Sequence, residues 1–159
     1  MNESSKTHFE KEYTKLLVIY LGLLFGLISF SLVLILLLVD PDSVRDPEMN
    51  ELFQLIVPIV LVTAISAGIF LSKKAIAQSI HASSDAAKLR SYTGFKILQL
   101  GLLDAAILFS NVVYLLTSNT YFIYLSMAAL LYYLSLFPIK QKISRLLNLE
   151  ASSDFPAKL

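Results

Sequence analysis

The chain has 159 residues, of which 56% are hydrophobic and only 16% charged, and its mean hydropathy is +0.68. Soluble domains are about 45–50% apolar and about 25% charged, so a soluble core of this size could not bury the excess apolar side chains, and the composition indicates a membrane protein. The net charge of +1 gives no electrostatic case for a nucleic-acid partner, and the absence of Cys excludes disulfides, thiolate metal sites and thiol redox chemistry.

The first apolar segment covers residues 16–39 and contains 24 residues without a charge. A transmembrane helix needs about 20 such residues, so this segment predicts a first span. It is longer than the apolar part of a signal peptide and no small-residue cleavage site follows it, so we expect it to be retained. Thr7 and Glu10 form a capping-box pattern, which places the start of the first helix before the membrane.

The second apolar segment, residues 52–72, has 21 residues without a charge and predicts a second span. Asp46, Pro47 and Glu48 precede it in the pattern of an N-cap, a proline at the first helical position and an acid in the first turn. The loop of residues 40–51 is rich in acidic side chains, but their spacing matches no EF-hand loop, so we predict no metal site.

A more polar segment, residues 73–96, follows the second span. Within it, residues 75–82 and 85–91 contain good helix formers and neither Gly nor Pro. We therefore expect helices two and three to continue beyond the membrane as an antiparallel stalk, with a turn near residues 81–84 and Ser84 capping the third helix.

The longest apolar segment, residues 97–139, has 43 residues and a single charge, that of Asp104. It is too long for one span, and residues 118–120 form its only polar triplet. The sequence therefore predicts spans at 97–117 and 120–139, and the tight turn between them makes the two spans antiparallel neighbours.

Residues 139–149 have the pattern of a short amphipathic helix. Four apolar residues share one face and three cations lie elsewhere: Ile139, Ile143, Leu146 and Leu147, with Lys140, Lys142 and Arg145. This pattern predicts a helix that lies on anionic lipid, with docking against a partner as the alternative. We expect residues 150–159 to form a disordered tail.

The distribution of cations predicts the orientation. Twelve of the 13 Lys and Arg residues lie in the N-terminal tail, in residues 73–96 or in the C-terminal tail, and only Arg45 lies elsewhere. The positive-inside rule then places both termini and the stalk on the cytoplasmic side. The predicted fold is all-α: a polytopic membrane protein whose residues 1–149 form one domain, a four-helix transmembrane bundle.

Asp104 lies eight positions into the third span, where an acid costs about 2.5–3.5 kcal/mol on insertion scales. We expect it to face the bundle interior, either as a proton or cation site or as a hydrogen-bonding group that fixes helix packing. Depth matching places it level with Ser66, Tyr132 and Tyr133, and Asn111 follows on the same helix face. We expect Asp104 to bond to Ser66 or to a tyrosine hydroxyl in a row of buried polar side chains, for which ordinary interhelical hydrogen bonding is the alternative reading.

Three pairs of small residues are spaced four apart in the spans: Gly22 and Gly26, Ala64 and Gly68, and Gly101 and Ala105. Such pairs allow helix backbones to approach closely. We expect them to pack the helices of one chain together, with contacts between protomers as the alternative.

The sequence lacks the motifs of several catalytic sites. It contains no GxxxxGK[ST], GxGxxG, GxSxG or HExxH, so phosphate cradles, nucleophile elbows and zincin sites lack support. Intramembrane aspartyl hydrolysis needs two carboxylates in one site, and only one lies inside a span. We therefore predict no catalytic residue, no metal and no cofactor.

Parts of residues 50–149 resemble small four-span inner-membrane proteins of Bacteroidota-type bacteria. The resemblance is carried by Lys88-Leu89-Arg90-Ser91-Tyr92, by Asp104-Ala105, by Leu115-Leu116-Thr117-Ser118-Asn119 and by Pro138-Ile139-Lys140-Gln141-Lys142-Ile143. That family usually carries Glu-Gly where this chain has Asp104-Ala105. The resemblance implies a bacterial inner-membrane location and implies no activity.

Three functions remain open on these grounds. The first is a non-catalytic subunit or scaffold of a membrane assembly, favoured by the missing catalytic motifs, the stalk and the basic C-terminal segment. The alternative is a proton- or cation-coupled transporter or channel that uses Asp104. A second alternative is an intramembrane enzyme that acts on a lipid. The expected partners are the lipid bilayer and either another membrane protein or a second copy of the chain.

Overall fold

The computed structural model of the chain describes residues 3–38, 47–80 and 85–147. This part of the chain is helical except for two short connections, and it contains no strand. Its elements are α1 (Glu3–Val33), a π-helical turn (Leu34–Leu38), α2 (Pro47–Ile80), α3 (Asp85–Thr117), α4 (Thr120–Ser135) and α5 (Lys140–Leu146). Three of these helices, α1, α2 and α3, are long and apolar enough to cross a membrane, and α4 with α5 raises the number to four if the bent pair is one span.

The starts of the first two helices differ in how well the sequence predicts them. Helix α2 begins at Pro47 with Glu48 in its first turn, which confirms the predicted proline at the first helical position. Helix α1 begins at Glu3, which confirms that it starts before the apolar segment, but Thr7 lies inside the helix and is not its N-cap. No Gly or Pro lies between Glu3 and the apolar segment, so the helix continues towards the N-terminus without a break.

Helices α2 and α3 extend well beyond their apolar segments. Helix α2 continues to Ile80 and α3 begins at Asp85, so residues 73–80 and 85–96 are helical, as the stalk requires. The predicted turn at residues 81–84, the Ser84 cap and the tail of residues 150–159 lie outside the described residues, as do Asp40, Asp42 and Asp46 of the acidic loop.

Helix α3 is the central helix and contacts α1, α2 and α4. The contact between α2 and α3 is the most extensive. One stripe of buried residues on α2 faces α3, and four of its members are small: Ala64, Gly68, Ala75 and Ser79. Small side chains at such spacings let two helix backbones approach closely, which explains why this pair packs over almost its whole length. The helices are therefore not arranged only as sequential neighbours, because α1 packs on α3.

The turn between α3 and α4 is held by polar contacts. Helix α3 ends at Thr117 and α4 begins at Thr120, which confirms the predicted break at residues 118–120. Ser118 adopts a left-handed conformation with φ 55°. The Asn119 side chain accepts a hydrogen bond from the Tyr121 backbone N–H at 2.9 Å, and its Nδ2 donates to Asn50 Oδ1 of α2 at 2.7 Å. The turn is thereby capped and tied to the beginning of α2.

The predicted fourth span, residues 120–139, is helical only as far as Ser135 and is not continuous over its last four residues. Helix α4 ends at Ser135, and α5 leaves it at 68° after a break of four residues or fewer. Pro138 lacks a backbone N–H and disfavours helical backbone in the residue before it, so the helix stops short of it. Tyr13 Oη donates a hydrogen bond to the Pro138 carbonyl at 3.1 Å, which ties the break to α1.

Helix α5 packs on the rest of the chain through part of its apolar face. Ile143 and Leu147 are buried in the core, whereas Ile139 is exposed and Leu146 is half-buried. The predicted amphipathic helix is thus present, but two of its four apolar residues are covered by this chain and cannot enter lipid.

Candidate functional site

Asp104 lies at the border between the core and the exposed side of α3. Its side chain is half-buried, with the neighbouring Leu103 buried and Ala105 exposed. It forms no hydrogen bond and no ion pair with any described residue. We expected Asp104 to face the bundle interior. The structure instead places it at the edge of the protein surface, within an otherwise apolar part of the helix.

Tyr133 of α4 is the polar residue that interacts electrostatically with Asp104. It is 0% exposed, and its hydroxyl has no hydrogen-bond partner within the described ranges. The Asp104 carboxylate is near enough to interact electrostatically with this hydroxyl, although no hydrogen bond joins the two groups. A carboxylate that can accept and a phenol that can donate a hydrogen bond therefore interact at a distance, without a bond between them.

Tyr133 is held in place by Tyr20 of α1. The two rings stack with centroids 5.3 Å apart, and Tyr20 Oη donates a hydrogen bond to the Tyr133 carbonyl at 3.3 Å. The Phe137 ring packs against the Tyr20 ring in a T-shaped arrangement, with centroids 5.4 Å apart. Aromatic packing of this kind fixes the ring of Tyr133 and therefore the position of its hydroxyl.

Asn111, about two helical turns after Asp104 on α3, forms a hydrogen bond with α1. Its Nδ2 donates to Ser31 Oγ at 2.8 Å, and both residues are buried. The Asn111 Oδ1 atom has no partner in the described part of the chain. The sequence analysis named Asn111 but missed Ser31. Ser31 belongs to a row of buried residues on α1 and the π-helical turn after it. These residues recur with heptad-like spacing, which could have predicted that Ser31 is buried: Leu16, Tyr20, Leu27, Ser31 and Leu34.

Two of the expected neighbours of Asp104 are placed differently. Ser66 is exposed on α2, and the expected bond from Asp104 to Ser66 is not formed. Ser66 lies two residues from Gly68, which is about 200° around the helix, so a side chain there faces away from α3 when Gly68 faces it. Tyr132 is half-buried, and it is Tyr133 rather than Tyr132 that interacts electrostatically with Asp104.

A second polar group lies between α2 and α3 and was missed from the sequence. Gln99 is 3% exposed, and its Oε1 accepts hydrogen bonds from Ser72 Oγ at 2.7 Å and from Lys96 Nζ at 2.9 Å. A Cβ added to Gly68 would lie 3.0 Å from Gln99 Cγ. Ser72 and Lys96 lie at the predicted ends of two spans, where polar residues are common. Their presence therefore did not indicate a buried polar group.

The three pairs of small residues serve different purposes. Ala64 and Gly68 are buried against α3, which is the internal packing expected of them. The other two pairs are exposed and do not pack against any described part of the chain: Gly22 and Gly26 on α1, and Gly101 and Ala105 on α3. A Cβ built on Gly22, Gly26 or Gly101 would meet no atom within 4 Å.

Among the residues that the structure describes, no group of three or more His, Asp or Glu side chains is arranged to hold a metal ion. Comparison of the chain with known protein families, with curated proteins and with solved structures gave no match.

Proposed function

We propose that this chain is a non-catalytic subunit of a membrane assembly and that it meets a second transmembrane protein through the Asp104 face of α3. This face consists of Asp104 and of the exposed small residues Gly101 and Ala105 beside it. The observation that carries the proposal is the half-exposed Asp104 side chain, which has no bonding partner among the described residues.

The energetic cost of the Asp104 carboxyl group depends on what surrounds it. An acid facing hydrocarbon costs about 2.5–3.5 kcal/mol on insertion scales, and a hydrogen-bond donor from a neighbouring helix removes much of this cost. Gly101 and Ala105 leave room for such a helix, because a Cβ at Gly101 would meet open space and Ala105 is exposed. A partner that places a donor opposite Asp104 therefore fits both the charge and the shape of this face.

The proposed topology places four spans in a bacterial inner membrane, with both termini cytoplasmic. Two contacts between the N-terminal part of α1 and the segment after α4 support this topology. Tyr13 of α1 donates a hydrogen bond to the Pro138 carbonyl, and Lys140 of α5 forms an ion pair with Glu10 of α1. Helix α4 thus returns to the end of the molecule at which α1 begins. If α1 crosses the membrane, this arrangement returns the C-terminal cations to the side of the N-terminal ones, in agreement with the positive-inside rule.

A second candidate function is a proton- or cation-coupled transporter. The observation that favours it is the buried hydroxyl of Tyr133, which lacks a hydrogen-bond partner in the described part of the chain and interacts electrostatically with Asp104. An acid and a phenol in this arrangement could hold a proton or a small cation between α3 and α4. This reading needs Asp104 to ionise, whereas the subunit reading needs it only to accept or donate a hydrogen bond.

Co-purification from native membranes tests the subunit proposal. Wild-type protein in mild detergent should retain a second membrane protein in fixed stoichiometry, and Asp104→Leu should lose it because leucine cannot bond. Ser66→Leu is the matched control, since Ser66 is also a polar residue exposed on a membrane helix. A chain that purifies alone, or an Asp104→Leu variant that keeps its partner, would contradict the proposal.

Asp104→Asn separates the two candidate functions. An amide still accepts and donates hydrogen bonds but cannot release a proton, so the subunit reading predicts that the partner is retained. The transporter reading predicts that Asp104→Asn folds normally and abolishes pH-driven flux in proteoliposomes. Wild-type vesicles without flux under an imposed pH gradient would count against transport.

A further inference from the structure

The outer side of α5 carries a groove that the proposed function does not use. The groove has a volume of about 350 Å³ and is lined by Ile139, Gln141, Lys142, Arg145 and Leu146. The opposite side of α5 is fixed to the protein by the buried Ile143 and Leu147. The groove is therefore a surface feature of a helix whose orientation is already set by its packing.

The two cations in the groove are available for a ligand. Lys142 and Arg145 are both exposed, and neither forms an ion pair with a described residue. Lys140, in contrast, pairs with Glu10 and lies 5.7 Å from the ring centroid of Phe9. No acidic side chain lines the groove. Its charge is thus positive and is not compensated by its own walls.

Lys96 of α3 does not line the groove but interacts electrostatically with Lys142, which does. It is near enough to Lys142 for the two ammonium groups to repel each other. Lys96 is half-buried and donates to Gln99 Oε1 at 2.9 Å, so it is held in place. Like charges brought together without an anion between them are unfavourable, and a negatively charged ligand at Lys142 would relieve the repulsion.

The apolar walls indicate what else the ligand carries. Ile139 is 52% exposed at one end of the groove and Leu146 lines it as well. The groove also lies directly after the apolar helix α4, and α5 is inclined at 68° to that helix. If α4 crosses the membrane, α5 runs nearer to the membrane plane than to its normal, at the level where phosphate groups meet acyl chains.

We propose that this groove binds an anionic membrane lipid, with Lys142 and Arg145 contacting its phosphate group and with Ile139 and Leu146 contacting the upper part of an acyl chain. Arginine contacts phosphate oxygens in a bidentate manner and lysine contacts them as a point charge. The proposal depends on α4 reaching the membrane surface and does not depend on the Asp104 face of α3 or on its partner.

The test uses the full-length protein in a neutral detergent and native mass spectrometry with phosphatidylglycerol or phosphatidylcholine. The wild type should bind phosphatidylglycerol in preference to phosphatidylcholine. The double variant Lys142→Gln/Arg145→Gln should weaken phosphatidylglycerol binding by about 30-fold, since each cation at a membrane surface contributes a factor of about five. The matched control is Lys73→Gln/Lys74→Gln, which removes two exposed cations from α2 and should leave the binding unchanged.

Two further arms distinguish a lipid from a free phosphate ester. Millimolar glycerol 3-phosphate should not displace phosphatidylglycerol, because it lacks the acyl chain. Ile139→Asn should weaken binding of the lipid while leaving the thermal melt unchanged, since Ile139 is exposed and precedes the first residue of α5. Equal losses in both double variants, an unchanged Lys142→Gln/Arg145→Gln double variant, or displacement by glycerol 3-phosphate would overturn the proposal.

Discussion

Glu10, in the first third of α1, forms an ion pair with Lys140, the first residue of α5, which follows it by 130 residues in the chain. The same two elements are joined by the hydrogen bond from Tyr13 Oη to the Pro138 carbonyl. These contacts bring the end of α4 back to the beginning of α1. They support the proposal that both termini lie on one side of the membrane.

The ion pair itself should contribute little to stability. The two side chains are 30% and 57% exposed, and exposed pairs contribute about 0.2–1 kcal/mol, which salt screens further. We expect Glu10→Gln to lower the melting temperature slightly at low salt and to have no effect at 1 M salt. Glu12→Gln is the control, because Glu12 lies on the same helix and forms no ion pair with a described residue. This variant should show neither effect. Equal changes in both variants would contradict a specific pair.

The bond from Asn111 to Ser31 should stabilise the contact between α1 and α3. Ser31→Ala leaves the buried Asn111 Nδ2 without its acceptor, and we expect it to lower the free energy of unfolding in detergent by about 0.6 kcal/mol, the average for such bonds in membranes. The double variant Ser31→Ala/Asn111→Leu should be less destabilised, because no polar group is then left unpaired. A double variant that is less stable than Ser31→Ala would show that Asn111 makes a bond elsewhere.

Gly68 and Gly22 should respond in opposite ways to a methyl group. A Cβ on Gly68 would lie 3.0 Å from Gln99 Cγ, whereas a Cβ on Gly22 would meet nothing within 4 Å. We expect Gly22→Ala to raise the free energy of unfolding by about 0.5–1 kcal/mol. Gly68→Ala should lower it by about 1–3 kcal/mol, because the added methyl group overpacks the contact. Thermal melts of the two variants in one detergent compare them directly. Similar melting temperatures would contradict the close contact between α2 and α3.

Tyr133 and Tyr20 differ in what their hydroxyl groups do. The Tyr133 hydroxyl is buried without a described partner, so Tyr133→Phe removes an unsatisfied group and should leave stability unchanged or raise it. Tyr20→Phe removes the bond to the Tyr133 carbonyl and should lower the free energy of unfolding by about 0.5–1.5 kcal/mol. If Tyr133→Phe is the more destabilising of the two, the hydroxyl has a partner, and Asp104, which interacts with it electrostatically, is one candidate.

Local signals in the sequence predicted the parts of the fold that they control. Pro47 marks the first residue of α2, and the polar residues 118–120 mark the break between α3 and α4. Both are settled by backbone chemistry within a few residues, namely the missing N–H of proline and the capping side chain of Asn119. Pro138 carried an equally local signal for the end of α4, but the apolar segment around it outweighed that signal in the prediction of a span to residue 139.

The rotation of each helix about its axis could not be predicted in the same way. In water, apolar residues mark the buried face, but lipid is as apolar as leucine, so the two faces of a membrane helix differ little in composition. Ser66 was therefore expected to face α3 and is exposed, and Gly22 with Gly26 was expected to pack internally and is exposed as well. Small residues predicted the buried face correctly only for α2, where Ala64 and Gly68 lie against α3.

Site-specific cross-linking in native membranes tests the account most directly, since the chain contains no Cys and each introduced thiol is unique. A short photoactivatable cross-linker on Ala105→Cys samples the Asp104 face of α3, and the same reagent on Ser66→Cys samples an exposed position on α2. The account predicts one discrete adduct with a second membrane protein from Ala105→Cys, its loss when Asp104→Leu is added, and no such adduct from Ser66→Cys. Cross-links to lipid alone from Ala105→Cys, or the same protein adduct from both positions, would contradict it.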